Sequence, residues 1–342
     1  MPLKIFGKRA TGEALKIISN SPNFKKGVFQ NPIPTKMSVD PIKVSNDYFK
    51  RKKEDSKPKS EVPLVQLDKN SFQKIPSEIL KVRWLGHASS IIEMDGLRIL
   101  TDPVFSERVS PFGFLGPKRL HASPLNLEAV PAVDIVIISH NHYDHLDYAF
   151  IKSLRNKAIQ FIVPLGVGSY LQHWGIDEKQ IRELDWHDSF QLRSVKITAT
   201  PARHFTGRGI LDRNKSFWAS FVIQGQQESL FFSGDSGFFP GFENIGNLYG
   251  PFDITMIGIG AYNQQWNAIH TNPNEAIKAH HLLRGKYLLP IHWCTFDLAP
   301  HHWHEPIEWL LEEAQKEKTS VLLPVPGEAV TASYKDWSFW WR

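Results

Sequence analysis

The chain has 342 residues, 42% of them hydrophobic, a net charge of +5 and one cysteine. That length and apolar fraction support a large buried core and exclude a disordered or fibrous chain. One cysteine excludes an intrachain disulfide framework, and no apolar run approaches the length of a membrane-spanning helix.

Residues 1–62 read as a basic extension and linker ahead of a catalytic region at 63–342. Residues 1–60 hold fourteen Lys/Arg against five Asp/Glu, which leaves the remainder of the chain mildly acidic. The densest part is Phe49-Lys-Arg-Lys-Lys53 with Lys57-Pro-Lys59. Such a leader is attracted to anionic lipid head groups, by about 1 kcal/mol per basic residue near the surface. Nucleic-acid phosphates would attract the same charges, but no zinc-finger, RNA-recognition or helix-turn-helix signature accompanies them, so no nucleic-acid partner is expected. Met1–Arg9 lacks the apolar segment of a secretory signal. The expectation is a soluble cytoplasmic protein, at most peripheral to a membrane.

In the catalytic region, residues 81–85, 97–100, 134–138, 161–165, 195–200, 219–224 and 229–233 read as strands. Residues 273–284 and 305–317 read as helices, the first opened by Asn272-Pro273. The fold class is therefore α/β. The run Asp134-Ile-Val-Ile-Ile138 is short and β-branched, as a buried strand is, and it leads directly into Ser139-His-Asn-His-Tyr-Asp-His145. Three imidazoles and a carboxylate thus sit at the carboxyl end of a strand, where α/β proteins place their chemistry. His140 and His142 can converge on one metal from an extended segment, and Asp144 and His145 can serve a second. Imidazole and carboxylate suit a borderline Lewis acid such as zinc, and manganese and iron accept the same ligands. One loop supplies too few ligands for a dinuclear site. His204, Asp235 and His292 each follow an apolar segment and can complete it.

Asp102, the His140–His145 run, His204, Asp235 and His292, in that order, resemble the motifs of the metallo-β-lactamase superfamily over roughly residues 80–342. The flanks Trp84-Leu-Gly-His-Ala88, Leu100-Thr-Asp-Pro-Val-Phe105, Gly116-Pro-Lys-Arg119, Gly260-Ala-Tyr262 and Ile291-His-Trp-Cys-Thr-Phe296 are similar to the branch of N-acyl-phosphatidylethanolamine-hydrolysing phospholipases D. The sugar-lactone lactonase branch shares the metal motifs and some flanks. The resemblance implies a four-layer αβ/βα sandwich carrying an N-terminal extension. It implies two zinc ions, one held by His140, His142 and His204, the other by Asp144, His145 and His292, with Asp235 bridging. Asp102 would orient a ligand imidazole through its far nitrogen, with His87 in support. His270 matches a histidine of the phospholipase branch that contacts the phosphoryl group or protonates the leaving group. Asp144, Asp235 and His270 are then the catalytic set. A homodimer is implied by the same resemblance.

Metals about 3.5–4 Å apart can share a bridging hydroxide, which gives a nucleophile without serine or cysteine. The substrate class rests on unusually aromatic loops after the metal motifs, in which Phe105, Phe114 and Phe238, with Tyr262, would contact an acyl chain. The reading is cleavage of the phosphodiester of N-acyl-phosphatidylethanolamine or a related phospholipid, of phospholipase D type, at an anionic membrane surface. The alternatives are a lactonase or small phosphoester hydrolase using the same metals, or a metal-stabilised binding protein. Cys294 reads as a small buried filler, and His301, His302 and His304 as a turn that binds no metal.

Overall fold

A computed structural model describes residues 2–37, 39–51, 56–72, 79–157, 159–334 and 338–342. Lys52 and Lys53, part of the densest basic run, lie outside the described residues.

The N-terminal segment carries α1 (Gly12–Ser19), the short hairpin β1 (Phe24–Lys25) and β2 (Val28–Phe29), and α2 (Pro41–Lys50). It is not a bare charged linker: Ile18 and Phe29 are fully buried, and Phe29 stacks on Phe217 with ring centroids 4.3 Å apart. The first half of the body contains β3 (Lys81–Gly86), β4 (Ser89–Met94), β5 (Leu97–Thr101), β6 (Ile135–Ile137), α3 (Tyr148–Ser153), β7 (Gln160–Pro164), α4 (Gly168–His173) and β8 (Ile181–Leu184). The second contains β9 (Ser189–Leu192), β10 (Val195–Thr200), β11 (Ser220–Gln224), β12 (Ser229–Phe232), α5 (Gly241–Tyr249), β13 (Phe252–Gly258), α6 (Pro273–Leu282), β14 (Gly285–Ile291), α7 (Glu305–Lys316) and β15 (Ala329–Val330).

Two sheets result, ordered β15-β3-β4-β5-β6-β7-β8 and β14-β13-β12-β11-β10-β9. From β3 to β7 the successive pairings are antiparallel, antiparallel, parallel, parallel. From β10 to β14 the same series repeats. The two halves are thus topological copies, a duplication that leaves no visible repeat in the sequence. Asp102, just past β5, and Asp235, just past β12, occupy corresponding places in the two halves.

The sheets face each other across the main core. Ile135 and Ile137 of β6 point into it, toward residues of the other sheet such as Val195, Ile197, Phe221 and Ile254. Val136 and Ile138 point the other way, into a second core with Phe150 and Ile151 of α3 and Tyr170 and Leu171 of α4. A strand covered on both faces has no polar alternation, which explains the unbroken apolar run before the metal motif. Residues of α6 and α7 close the far side of the main core, completing the αβ/βα sandwich. Cys294 is buried in that core.

Candidate metal centre

The ligand-bearing residues follow strand ends on one edge of the sandwich: His140–His145 after β6, His204 after β10, Asp235 after β12 and His292 after β14. Their ligand atoms converge. Those of His140, His142 and His204 lie within 4.8 Å of one another, as do those of His87, Asp144, His145 and His292. His142 Nδ1 is 2.8 Å from His140 Nε2 and 3.2 Å from His204 Nε2. In the second group Asp144 Oδ2 is 3.4 Å from Nε2 of both His145 and His292. Ligands bound at about 2.05 Å around a tetrahedral ion stand about 3.3 Å apart, so these spacings suit one small cation per group. Asp235 lies between the groups, its Oδ2 3.2 Å from His145 Nε2 and 3.6 Å from His204 Nε2, its Oδ1 3.2 Å from His292 Nε2.

The outer hydrogen bonds decide which nitrogens face the centre. Ser139 Oγ donates to Asp102 Oδ2 at 2.5 Å and can therefore accept from His140 Nδ1 at 2.9 Å. His145 Nδ1 donates to Asp102 Oδ2 at 2.6 Å, and His204 Nδ1 to the Ile269 carbonyl at 3.0 Å. His145 Nε2, His292 Nε2 and Asp235 Oδ1 are buried with no hydrogen-bond partner. Buried polar atoms are normally satisfied, so three unpartnered ones in this cluster suit a site whose donors are meant for cations. Burial alone would lower the His145 pKa, but Asp235, Asp144 and Asp102 overcome it and hold the ring well above the usual histidine range. The same carboxylates that favour a proton there favour a dication. Burial, reinforced by the His145 and His142 imidazoles, holds His140 well below that range, as a ligand nitrogen requires.

The supporting groups are also in place. Asp102, fully buried, accepts from the backbone N–H of Ser139 at 2.6 Å as well as from His145. His87 Nε2 is 3.0 Å from Asp144 Oδ2, and its ring lies 3.9 Å from that of His292. Burial and the neighbouring His292 push His87 down to about 3. His87, Asp102 and His292 all have positive φ (54°, 34° and 62°), and such backbone strain clusters at functional sites. His270 closes the group from the open side. Its Nδ1 is 3.9 Å from Asp235 Oδ2, and its ring is 5.2 Å from His204 and 5.3 Å from His292. Asp147, which ends the motif, caps α3: Oδ1 accepts from Ala149 N at 2.9 Å, and Oδ2 from Phe105 N and Ser106 N.

The four aromatic candidates do not join one another among the described residues. Phe105 stacks on Phe150 at 4.7 Å, and Phe238 packs near Phe242 at 6.1 Å, so both lean into the cores. Tyr262 donates its hydroxyl to Glu305 at 2.7 Å and stacks on His301 at 4.7 Å. Phe114 alone is strongly exposed, at 82%, beside exposed Phe112 and Leu115. Of the later histidines, His301 Nε2 accepts from the Ala261 backbone N–H at 3.0 Å, and none of His301, His302 and His304 enters a metal-like cluster among the described residues.

Several contributors carry no sequence signal. Arg208 is buried and donates to the carbonyls of Asn141 (2.9 Å) and Leu146 (2.8 Å), bracketing the motif loop. Thr295 Oγ1 accepts from the His87 backbone N–H at 2.6 Å, and His121 Nε2 stands 3.0 Å from the same hydroxyl. Phe205 meets the His142 ring at 4.5 Å and carries the Arg213 guanidinium 4.4 Å above its face.

A sequence profile described as the beta-lactamase superfamily domain matches residues 97–293. An uncharacterized protein of Mycobacterium tuberculosis is 42% identical over 329 residues, 94% of this chain and 87% of its own. The N-acyl-phosphatidylethanolamine-hydrolyzing phospholipase D 1 of Caenorhabditis elegans is 36% identical over 242 residues, 67% of this chain and 68% of its own. Among solved structures, a metallo hydrolase from the archaeon Ignicoccus hospitalis superposes with a TM-score of 0.58 at 24% identity, over 75% of this chain and 99% of that one.

Proposed function

The chain belongs to the metallo-β-lactamase superfamily and is a metal-dependent hydrolase; from that premise we propose that it hydrolyses the phosphodiester of N-acyl-phosphatidylethanolamine or a related phospholipid, in the manner of a phospholipase D. The observation that carries the reading is the double ligand cluster joined by Asp235, with its orphaned inward-facing atoms, in a chain similar to a phospholipase of that class.

His140, His142 and His204 would hold one divalent cation and Asp144, His145 and His292 the other, with Asp235 shared. When bound, such a pair lowers the pKa of a coordinated water toward about 7 and offsets charge on the phosphoryl oxygens. The protein's own groups prepare for that chemistry. Asp102 and the Ile269 carbonyl hold the far nitrogens of His145 and His204, fixing the tautomers that present Nε2 to the centre. His270, on the open side near Asp235, is placed to hydrogen-bond a phosphoryl oxygen. Hydrolysis breaks the bond between phosphorus and the ethanolamine oxygen. Phosphorus gains the water oxygen and the departing alkoxide gains a proton, giving phosphatidic acid and an N-acylethanolamine.

A lipid substrate is supported by two exposed loop tips, Phe112, Phe114 and Leu115 on one and Ile210 and Leu211 on the other. Tyr143 of the metal motif packs against the small cluster of Val104, Val109 and Phe296 and donates its hydroxyl to the Arg208 carbonyl at 2.9 Å, contacts close in sequence to both tips. Phe112 also meets Phe6 at 6.4 Å, on a turn whose neighbours Lys4, Lys8 and Arg9 are exposed. Apolar tips with basic residues alongside suit an anionic bilayer surface. On this reading the protein docks by these tips, and the Arg51 side chain is not part of the attraction, because it is paired bidentately with Asp297 at 2.7 Å.

The test is turnover of N-acyl-phosphatidylethanolamine in mixed micelles by the zinc-loaded protein, read by mass spectrometry beside a lactone and sugar-phosphate panel. Release of N-acylethanolamine, lost in Asp235→Asn, is expected. Cleavage of the soluble panel alone would move the protein to the lactonase or phosphatase reading.

A further inference from the structure

The basic N-terminal segment does more than pack against the body: it reaches three of the four ligand-bearing loops, and the loop that leads to His270. Near its start the Ile5 carbonyl accepts from Arg208 Nε at 3.2 Å and Nη2 at 3.1 Å. The same guanidinium brackets the motif loop through Asn141 and Leu146, and it lies 3.9 Å from the ring of Tyr143. Further on, the Asn31 side chain bonds both backbone polar atoms of His204. Its Nδ2 donates to the His204 carbonyl at 2.7 Å and its Oδ1 accepts from the His204 N–H at 2.9 Å. Asp40 N then donates to Gln265 at 2.6 Å, in the loop that leads to His270. Last, Arg51 donates to Asp297 and to the carbonyls of Ala299 and His301, in the loop that follows His292.

We propose that the described residues from 5 to 51 form a strap that sets the spacing of the ligand loops, and that Asn31 is a positioning residue for His204 and hence for the cation held by His140, His142 and His204. This rests on the two-cation centre proposed above and is independent of the lipid substrate. The chemistry asks for such a device. His204 stands beyond the last residue of β10 and before β11, so no strand ladder bonds its backbone N–H and carbonyl. One carboxamide replaces both ladder bonds, as a neighbouring strand would. The imidazole is separately held by Ile269, so the backbone and the ring are fixed from opposite sides. The strap has its own anchors away from the metals: buried Ile18 and Phe29, and the Asp185 carboxylate, which accepts from Ser21 Oγ at 2.6 Å and Asn23 Nδ2 at 2.9 Å.

The experiment titrates the full-length zinc-loaded protein with a chromophoric chelator and counts zinc retained per chain. Outer-shell partners of metal ligands commonly change affinity 10–100-fold, and Asn31 acts through the backbone, so Asn31→Ala is expected to weaken one of the two zinc equivalents by about tenfold. The other equivalent should hold, and Asn23→Ala, which loosens the strap only at Asp185, should leave both at wild-type affinity. Wild-type retention of both equivalents in Asn31→Ala overturns the proposal. So does equal weakening of both equivalents by Asn31→Ala and Asn23→Ala, which would make the strap a general stabiliser. If Asn31→Ala does not fold, Asn31→Asp keeps the acceptor for the His204 N–H and removes only the donor to its carbonyl, and is read in the same titration. Weaker zinc retention is then expected, and unchanged retention overturns the proposal.

Discussion

Asp102 and His145 are joined by a 2.6 Å hydrogen bond between two side chains that are both fully buried. Its consequence is directional: with Nδ1 committed to the carboxylate, Nε2 of His145 faces Asp235 and Asp144. Asp102→Asn keeps the shape but removes the charge that orders both this ring and Ser139. The expected result is a folded protein with metal affinity or turnover lower by about 10–100-fold, measured by chelator competition and by kcat.

Asp235→Asn should abolish turnover. Asp235 is the carboxylate shared by the two ligand groups, and burial would raise its pKa were it not for His145, His292 and His270, which hold it well below the usual range. Elemental analysis should show reduced metal content, while far-UV circular dichroism stays native. Turnover in the variant at a wild-type rate would contradict the shared role.

Gly234→Ala tests the close approach that delivers Asp235. Gly234 has φ 51°, and an added Cβ would stand 2.5 Å from the Cβ of Ser139. Ser139 cannot retreat without breaking its bonds to Asp102. We expect a fall in both stability and activity, with a stability loss of about 1–3 kcal/mol seen in denaturant melts.

Phe114→Asp and Ile210→Asp, on the two exposed tips, should weaken binding to anionic vesicles, each by about tenfold or more, since an inserted apolar side chain contributes about 1.5–3 kcal/mol. Hydrolysis of a soluble phosphodiester should be unchanged. Sedimentation with vesicles measures the first effect and a chromogenic assay the second.

His280 gives a pH prediction away from the metals. Burial, with the neighbouring His281, pushes it down to about 4, and its Nδ1 lies 2.7 Å from the Thr255 hydroxyl. The unfolded chain takes up this proton near pH 6.5 while the folded protein refuses it until about pH 4. Stability therefore falls as pH drops through that window, by up to about 3 kcal/mol, and the group adds nothing above it. His280→Asn, compared with wild type in denaturant melts at pH 7.5 and pH 5, should lose less stability on acidification.

The candidate ligands were legible in the sequence because they sit at strand ends, where an apolar run stops and a metal-capable residue follows. The strands at 81–85, 97–100, 195–200 and 229–233 lie within a residue or two of β3, β5, β10 and β12. Strands β4, β8, β9, β13 and β15 were not read from the sequence, and two of them show why. Ser89–Met94 opens with two serines and holds Glu93, which pairs with Arg98 at 2.8 Å inside the fold. Phe252–Gly258 is broken by Asp253, Thr255 and Gly258. Asn31 and Arg208 were illegible for a different reason. A side chain that bonds a distant backbone leaves no periodicity, and its partner lies 173 residues away for Asn31 and about 60 for Arg208. The leader read as a linker because its apolar residues come in short pieces among Pro, Ser, Asn and Lys, yet Ile18 and Phe29 are fully buried.

The duplicated topology also has a temporal side. His140, His142, Asp144 and His145 emerge with the first sheet, while His292 follows the last strand of the second. At about 5–20 residues per second of synthesis, the interval between them is about seven to thirty seconds. Throughout that interval a nascent chain displays half a chelating set to whatever cations surround the ribosome. On the two-cation reading proposed above, closure of the cage waits for the second sheet, so slowing translation between the two halves should raise the fraction of chains carrying the wrong metal.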